Sequence, residues 1–241
     1  MAIIYSGTVD GYVYHTGTNW NTVHDATTGT SADSNDTATH LAIETKSAAV
    51  GRSTNYYIRR AYFTFDTSGI SVAPSAATLK IYGYTTTTYT AGDIIAIEGT
   101  YNGLSTLSTG DWDSFTGFTS GWGSGNVTAY SSELTSWSTS GYNDIALNAT
   151  ALAKMASAST LSIVLMNHDF DYSDVSTLVG RTHNNESNGM YWADNTGTSK
   201  DPYIDYTPGG YGHGVLGVDS GDIDGVIGVA TADIDKVIGV E

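Results

Sequence analysis

The chain contains no cysteine, so neither a disulfide framework nor thiolate chemistry is open to it. Proline is nearly absent, at 3 residues, and no stretch approaches the roughly 20 apolar residues of a membrane-spanning helix. Basic residues are scarce: 9 Lys and Arg stand against 25 Asp and Glu, a formal charge of −16. That balance excludes nucleic acid as a partner, because phosphate binding needs clustered Lys and Arg, and it repels an anionic membrane surface. The opening MAIIYSGTVDGYVYH has no basic n-region and no apolar h-region, so it does not read as a signal peptide. The 6 His form no H-x-x-x-H or H-E-x-x-H pattern, and neither G-x-S-x-G nor a phosphate loop occurs.

What is present is Thr, Ser, 28 Gly and 17 Tyr, a mixture that suits short strands joined by tight polar turns. With 40% hydrophobic and 14% charged residues over 241 positions, the chain can bury a real core and is not disordered. Alternation with period 2 recurs along it. Leu41 and Ile43 share one face. Tyr57, Arg59, Ala61, Phe63 and Phe65 line one side of a long strand that ends at Asp66. The runs 77–84, 93–98, 143–147, 161–166 and 202–207 continue the pattern, which points to a sandwich rather than βαβ units. One segment reads as helix: Asn148 caps a run of good helix formers with Leu152 and Met155 on one face. Residues 100–139 read as long loops rich in Gly, Ser, Thr and aromatics. The clearest boundary is Thr207-Pro208-Gly209-Gly210.

Signs of chemistry are few. Asp111 and Asp113 lie too close along the chain to flank a scissile glycosidic bond. Three acids of one loop, Asp169, Asp171 and Asp174, offer hard oxygen ligands to a structural Ca²⁺; the competing reading is a solvated acidic loop. His183-Asn184-Asn185-Glu186 has no nucleophile at a recognisable spacing and reads as a polar hairpin loop. The expectation is a protein that is not an enzyme. Aromatics give a better lead. Trp20, Trp112, Trp122, Tyr191 and Trp192 stand in Gly, Ser and Asn-rich contexts, where a glycan ring can stack on an exposed face; the alternative is that they fill the ends of a sandwich. Arg59 and Arg60 face opposite sides of their strand, and one of them is expected to pair with a carboxylate. The pairs Tyr12/Tyr14 and Tyr82/Tyr84 each share a face and are expected to pack the core or a subunit interface.

The C-terminal segment repeats an eleven-residue phrase starting at Val215, Val226 and Val237. Its apolar positions are Val215, Leu216, Val218, Ile223, Val226, Ile227, Val229, Ile234, Val237, Ile238 and Val240. The β-branched content favours a strand, whereas Ser220 or Thr231 as caps favour a helical turn, and both readings stand. Neither lets one unit bury its aliphatic side chains alone. Six acids against Lys236 add a local charge of −5. Self-association, or attachment to neighbouring proteins, is the reading that uses both features.

The strand order resembles the DNRLRE-type domain, a jelly-roll β-sandwich allied to carbohydrate-binding modules. The stretches that carry the likeness are Asp10-Gly11-Tyr12-Val13, then Arg60 through Phe65-Asp66 with Thr67-Ser68-Gly69-Ile70, then Ala77-Thr78-Leu79-Lys80-Ile81-Tyr82. Asp144-Ile145-Ala146 running into the helix and Pro202-Tyr203-Ile204-Asp205-Tyr206 complete it, covering residues 8–207. The tail phrase is similar to tandem phrases on phage-encoded and environmental bacterial surface proteins. Together these imply an all-β jelly-roll sandwich over 1–208 with one short helix, followed by a linker and repeat tail over 209–241. The function they imply is that of a phage virion structural protein at a virion surface, with an extracellular glycan-binding module as the alternative.

Overall fold

The long central strand, buried on both faces over its second half, organises the architecture. The computed structural model describes residues 2–34, 39–87, 93–103, 106–193 and 197–210, together with the backbone of 225–226 and 229–230. In chain order the strands are β1 (Ala2–Tyr5), β2 (Gly11–Gly17), β3 (Ser31–Asp33), β4 (Thr39–Val50), β5 (Ser53–Asp66), β6 (Ala76–Thr87) and β7 (Ile94–Glu98). They continue with β8 (Tyr142–Ala146), β9 (Thr160–Asn167), β10 (Leu178–Val179), β11 (Thr182–His183), β12 (Asn185–Tyr191) and β13 (Tyr203–Thr207). Every described pairing is antiparallel, and the protein is an all-β sandwich.

Strand β6 belongs to both layers. Its first half pairs with β13 and β8, and its second half pairs with β12, beyond which come β4, β5 and β2. Between the layers lies one core, built from Ala61, Phe63 and Phe65 of β5, Leu79 and Ile81 of β6, Ile163 and Leu165 of β9, and Ile204 of β13. The opposite face of β5 is buried too. Tyr56, Ile58 and Tyr62 join Ile95 and Ile97 of β7, Val164 and Met166 of β9, and the aromatic residues of segment 106–130 in a second core. Strands β5, β7 and β9 are therefore covered on both sides, which is why DIIAIE and LSIVLM read as nearly continuous apolar runs.

Among the described residues two α-helices are formed where one was expected. The predicted one is α2 (Ala149–Ser157), whose Asn148 side chain accepts from the N–H groups of Thr150 and Ala151 and whose Met155 is fully buried. The other is the five-residue α1 (Trp20–His24), capped by Asn19 through Thr22 N–H. Its single apolar turn gives no periodic signal, so it escapes a pattern search. Loop 137–141 lies against β6 at Gly83, where an added Cβ would stand 1.8 Å from the Ser138 carbonyl oxygen. Gly83 N–H donates to the Gly141 carbonyl at 3.0 Å, so this close approach is also hydrogen-bonded.

Of the tail, the described part is β14 (Gly225–Val226) paired antiparallel with β15 (Val229–Ala230). At that point the repeat is strand. The other expected assembly residues, Val215, Leu216, Val218, Ile223, Ile227, Ile234, Val237, Ile238 and Val240, lie outside the described residues.

Candidate functional site

The tryptophans expected to meet a glycan are inside the protein. Trp112, Trp122 and Trp192 have no exposed surface and Trp20 retains 6%, so none of the four offers a ring face to solvent. Trp192 stacks on Phe63 in the central core at 5.4 Å. The other three belong to the second core, where Gly- and Ser-rich segments let the backbone fold tightly over the sheet. A loop-like composition was a correct sign of irregular backbone and a false sign of exposure.

These rings enclose a charged hub. Arg60 points from β5 into the second core, fully buried, and binds Asp171 in a bidentate fork: Nε to Oδ2 at 2.8 Å and Nη2 to Oδ1 at 2.7 Å. Two of its remaining N–H groups donate to the carbonyls of Trp112 (3.0 Å) and His24 (3.3 Å), and its guanidinium lies 3.9 Å from the Trp112 ring centroid. Burial opposes the guanidinium charge, but the Asp171 carboxylate overrides it, and the Arg60 pKa is raised. His24 is sandwiched between Trp122, at 4.3 Å and 13°, and Trp20, at 5.6 Å and 22°. Its Nε2 lies 2.8 Å from the Asp171 carbonyl oxygen and its Nδ1 2.7 Å from Asp25 Oδ1. The expected split of Arg59 and Arg60 holds: Arg60 carries the buried pair, and Arg59 sits over Tyr12 with Glu44 at 3.9 Å.

The hub also disposes of the expected calcium triad. Asp171 is committed to Arg60, Asp174 accepts from the Trp20 indole at 3.0 Å, and Asp169 turns outward to His168 at 3.0 Å. They do not converge. A different trio has ligand spacing among the described residues: Glu133, His168 and Asp169 bring their donor atoms within 4.8 Å of one another. There the Glu133 pKa is raised, first by burial and then by the neighbouring Asp93, against the opposing effect of His168. Asp111, one of the two carboxylates in the Asp-Trp-Asp stretch, is occupied by the N–H and hydroxyl of Ser108, both at 2.8 Å. An open, shallow cleft of about 610 Å³ beside α1 is lined by His15, Asn21, Thr22 and Asp25 among others. Burial and then the nearby Arg60 charge lower the His15 pKa.

The fifth aromatic residue leads elsewhere. Tyr191 is half-buried on the outer face of the sheet, in a row that crosses β1, β13, β8, β6 and β12. In order the rings are Tyr5, Tyr203, Tyr142, Tyr82, Tyr191 and Tyr84, with centroid steps of 5.8, 5.0, 5.1, 5.4 and 5.9 Å. Register explains the row. Tyr5 is opposite Tyr203, Tyr142 is opposite Tyr82, and the period-2 pleat turns Lys80, Tyr82 and Tyr84 to one side. Neighbouring planes meet at 54–87°, so edges point at faces, an arrangement worth about 0.5–1.5 kcal/mol per pair beyond burial. Tyr5 and Tyr84, at the two ends, are 43% and 49% exposed. Tyr82 and Tyr84 therefore do not pack the core; they face outward, whereas Tyr12 packs against it.

The middle of the row is pinned. Tyr82 donates its hydroxyl to the Ser140 carbonyl at 2.8 Å, and Tyr142 donates to the carbonyls of Ser199 (3.1 Å) and Asp201 (3.3 Å). Burial, then Tyr203 and Asp201, push the Tyr142 phenol up to about 12, so it stays a neutral donor. Lys200 lies 4.1 Å above the Tyr191 ring and 5.1 Å from Tyr82. Sequence alone shows the outward tyrosines as period-2 partners of Ile204, Ile81 and Asn143, but only strand pairing shows that they adjoin. In comparison with known proteins, no family model and no curated protein matches the chain.

Proposed function

We propose that the chain is a non-enzymatic structural protein of a phage particle, a capsid decoration or a fibre or tail component. Its sandwich is displayed, and its C-terminal repeats attach or oligomerise. The observation that carries this reading is the β14–β15 hairpin within the repeat. Two paired residues on each strand are too few to be stable alone, and among the described residues the hairpin joins no other strand. Such a unit gains stability by pairing its edges and burying its Val and Ile against a copy of itself or a neighbour. The body is consistent with a scaffold: buried Arg60 is neutralised by Asp171, and partly buried Glu98 by Lys154.

Truncation after Gly210 tests it. The full chain is expected to form oligomers in light scattering, and the truncated chain to remain a folded monomer; equal assembly by both contradicts the proposal. The second reading, an extracellular glycan-binding module of a bacterial surface or filament, is favoured by the outward-facing tyrosine row, exposed at its two ends.

A further inference from the structure

We propose that the tyrosine row on the outer face of β1, β13, β8, β6 and β12 binds a neutral polysaccharide built of pyranose units. The inference rests on the body and deepens the second reading; it does not depend on whether the tail assembles.

Three properties of the face point to that ligand. First, it is aromatic and hydroxylated rather than aliphatic. Across these strands Ile3, at 53%, is the one strongly exposed aliphatic residue described, beside six tyrosines. A pyranose has the matching character: axial C–H bonds, polarised positive, settle on an electron-rich ring face, while equatorial hydroxyls need donors and acceptors at the edge. The steps of 5.0–5.9 Å are comparable with the length of one sugar ring, so an extended chain covers several tyrosines at once.

Second, the face carries few charges within a chain of charge −16, and those of both signs are interspersed. Lys80 is bonded to Asp144 at 2.6 Å, Lys200 stands beside the row with Asp205 and the buried Asp201, and Glu186 of β12 is buried against Asn167. A polyanion meets the repulsion of the whole molecule here, and a polycation finds no acidic patch; an uncharged polyol is admitted by both. Third, the surface is organised before binding. The bonds of Tyr82 and Tyr142 to loop carbonyls and the seat of Lys200 on Tyr191 fix the central rings, and tyrosine has only two side-chain torsions to immobilise.

Affinity electrophoresis of the full chain tests this, in gels carrying hydroxyethylcellulose, galactomannan or dextran, with alginate as the anionic comparator. Retardation is expected in at least one neutral gel and not in alginate. The variant Tyr84→Ala/Tyr191→Ala, with its fold checked by circular dichroism and melting, is expected to weaken retention roughly tenfold. Lys200→Ala, which leaves every strand residue in place, is expected to weaken it to a lesser degree. No retardation in any neutral gel, stronger retention in alginate, or full retention by the folded double variant overturns the proposal. So does a change in particle mass, rather than in retention, on losing the tyrosines, since that identifies a protein interface. Failure of the tail truncation to alter mass would overturn the assembly reading alone.

Discussion

Two aromatic assemblies lie on opposite sides of this sandwich, and they differ in what completes them. In the second core, Trp20, Trp112 and Trp122 are sealed around Arg60 and His24, and the Arg60 charge meets its counter-charge, Asp171, inside. On the outer face, six tyrosines touch one another edge to face, with both ends of the row open to solvent. The lesson is that aromatic content does not mark a binding surface; what marks it is whether the rings keep surface open to solvent.

The contrast is broken most severely at Arg60. Replacing it with Ala takes both donors of the fork away from the fully buried Asp171 carboxyl group, and should cost about 3–5 kcal/mol in urea unfolding, enough to unfold a marginal domain. Next comes the junction between the row and its supporting loop. Gly83→Ala forces a methyl group into the Ser138 carbonyl and should lower stability by about 1–3 kcal/mol, with weakened glycan retention as loop 137–141 withdraws the partner of Tyr82. Smaller still is Tyr84→Ala, exposed at the end of the row; its stability loss should stay under about 1 kcal/mol while retention falls, which separates binding from folding.

The smallest effect belongs to Glu133. Its pKa is raised in the folded protein, so the folded state holds the proton more tightly than the unfolded chain. The resulting stabilisation is complete below the unfolded carboxylate pKa and is lost as pH rises through the folded value. Glu133→Gln should therefore raise the melting temperature slightly at neutral pH, with the advantage shrinking in acid. A thermal scan from pH 4 to pH 7 reads it.

Much of the fold was legible because alternation reports burial directly. The β5 pattern placed Ala61, Phe63 and Phe65 in the central core, and Asn148 announced α2. The candidate sites were less legible, for a physical reason. Segment 106–130 has little regular secondary structure, and its glycines, which suggested exposed loops, are what allow it to fold flat over β5 and seal Trp112 and Trp122. The Arg60–Asp171 pair joins positions 111 residues apart, a separation that no local pattern encodes. Tyr5, Tyr142 and Tyr203 each sit in a plain alternating strand, and their adjacency comes from register between strands distant in sequence.

The most direct test of the central claim is hydroxyl-radical footprinting of the folded chain, read by mass spectrometry with and without the neutral polysaccharide that retains it. The account predicts rapid oxidation at Tyr5 and Tyr84, slow oxidation at Trp112, Trp122 and Trp192, and polysaccharide protection confined to the tyrosine row. Ready oxidation of the tryptophans, or protection that falls on segment 106–130 instead of the row, would contradict it.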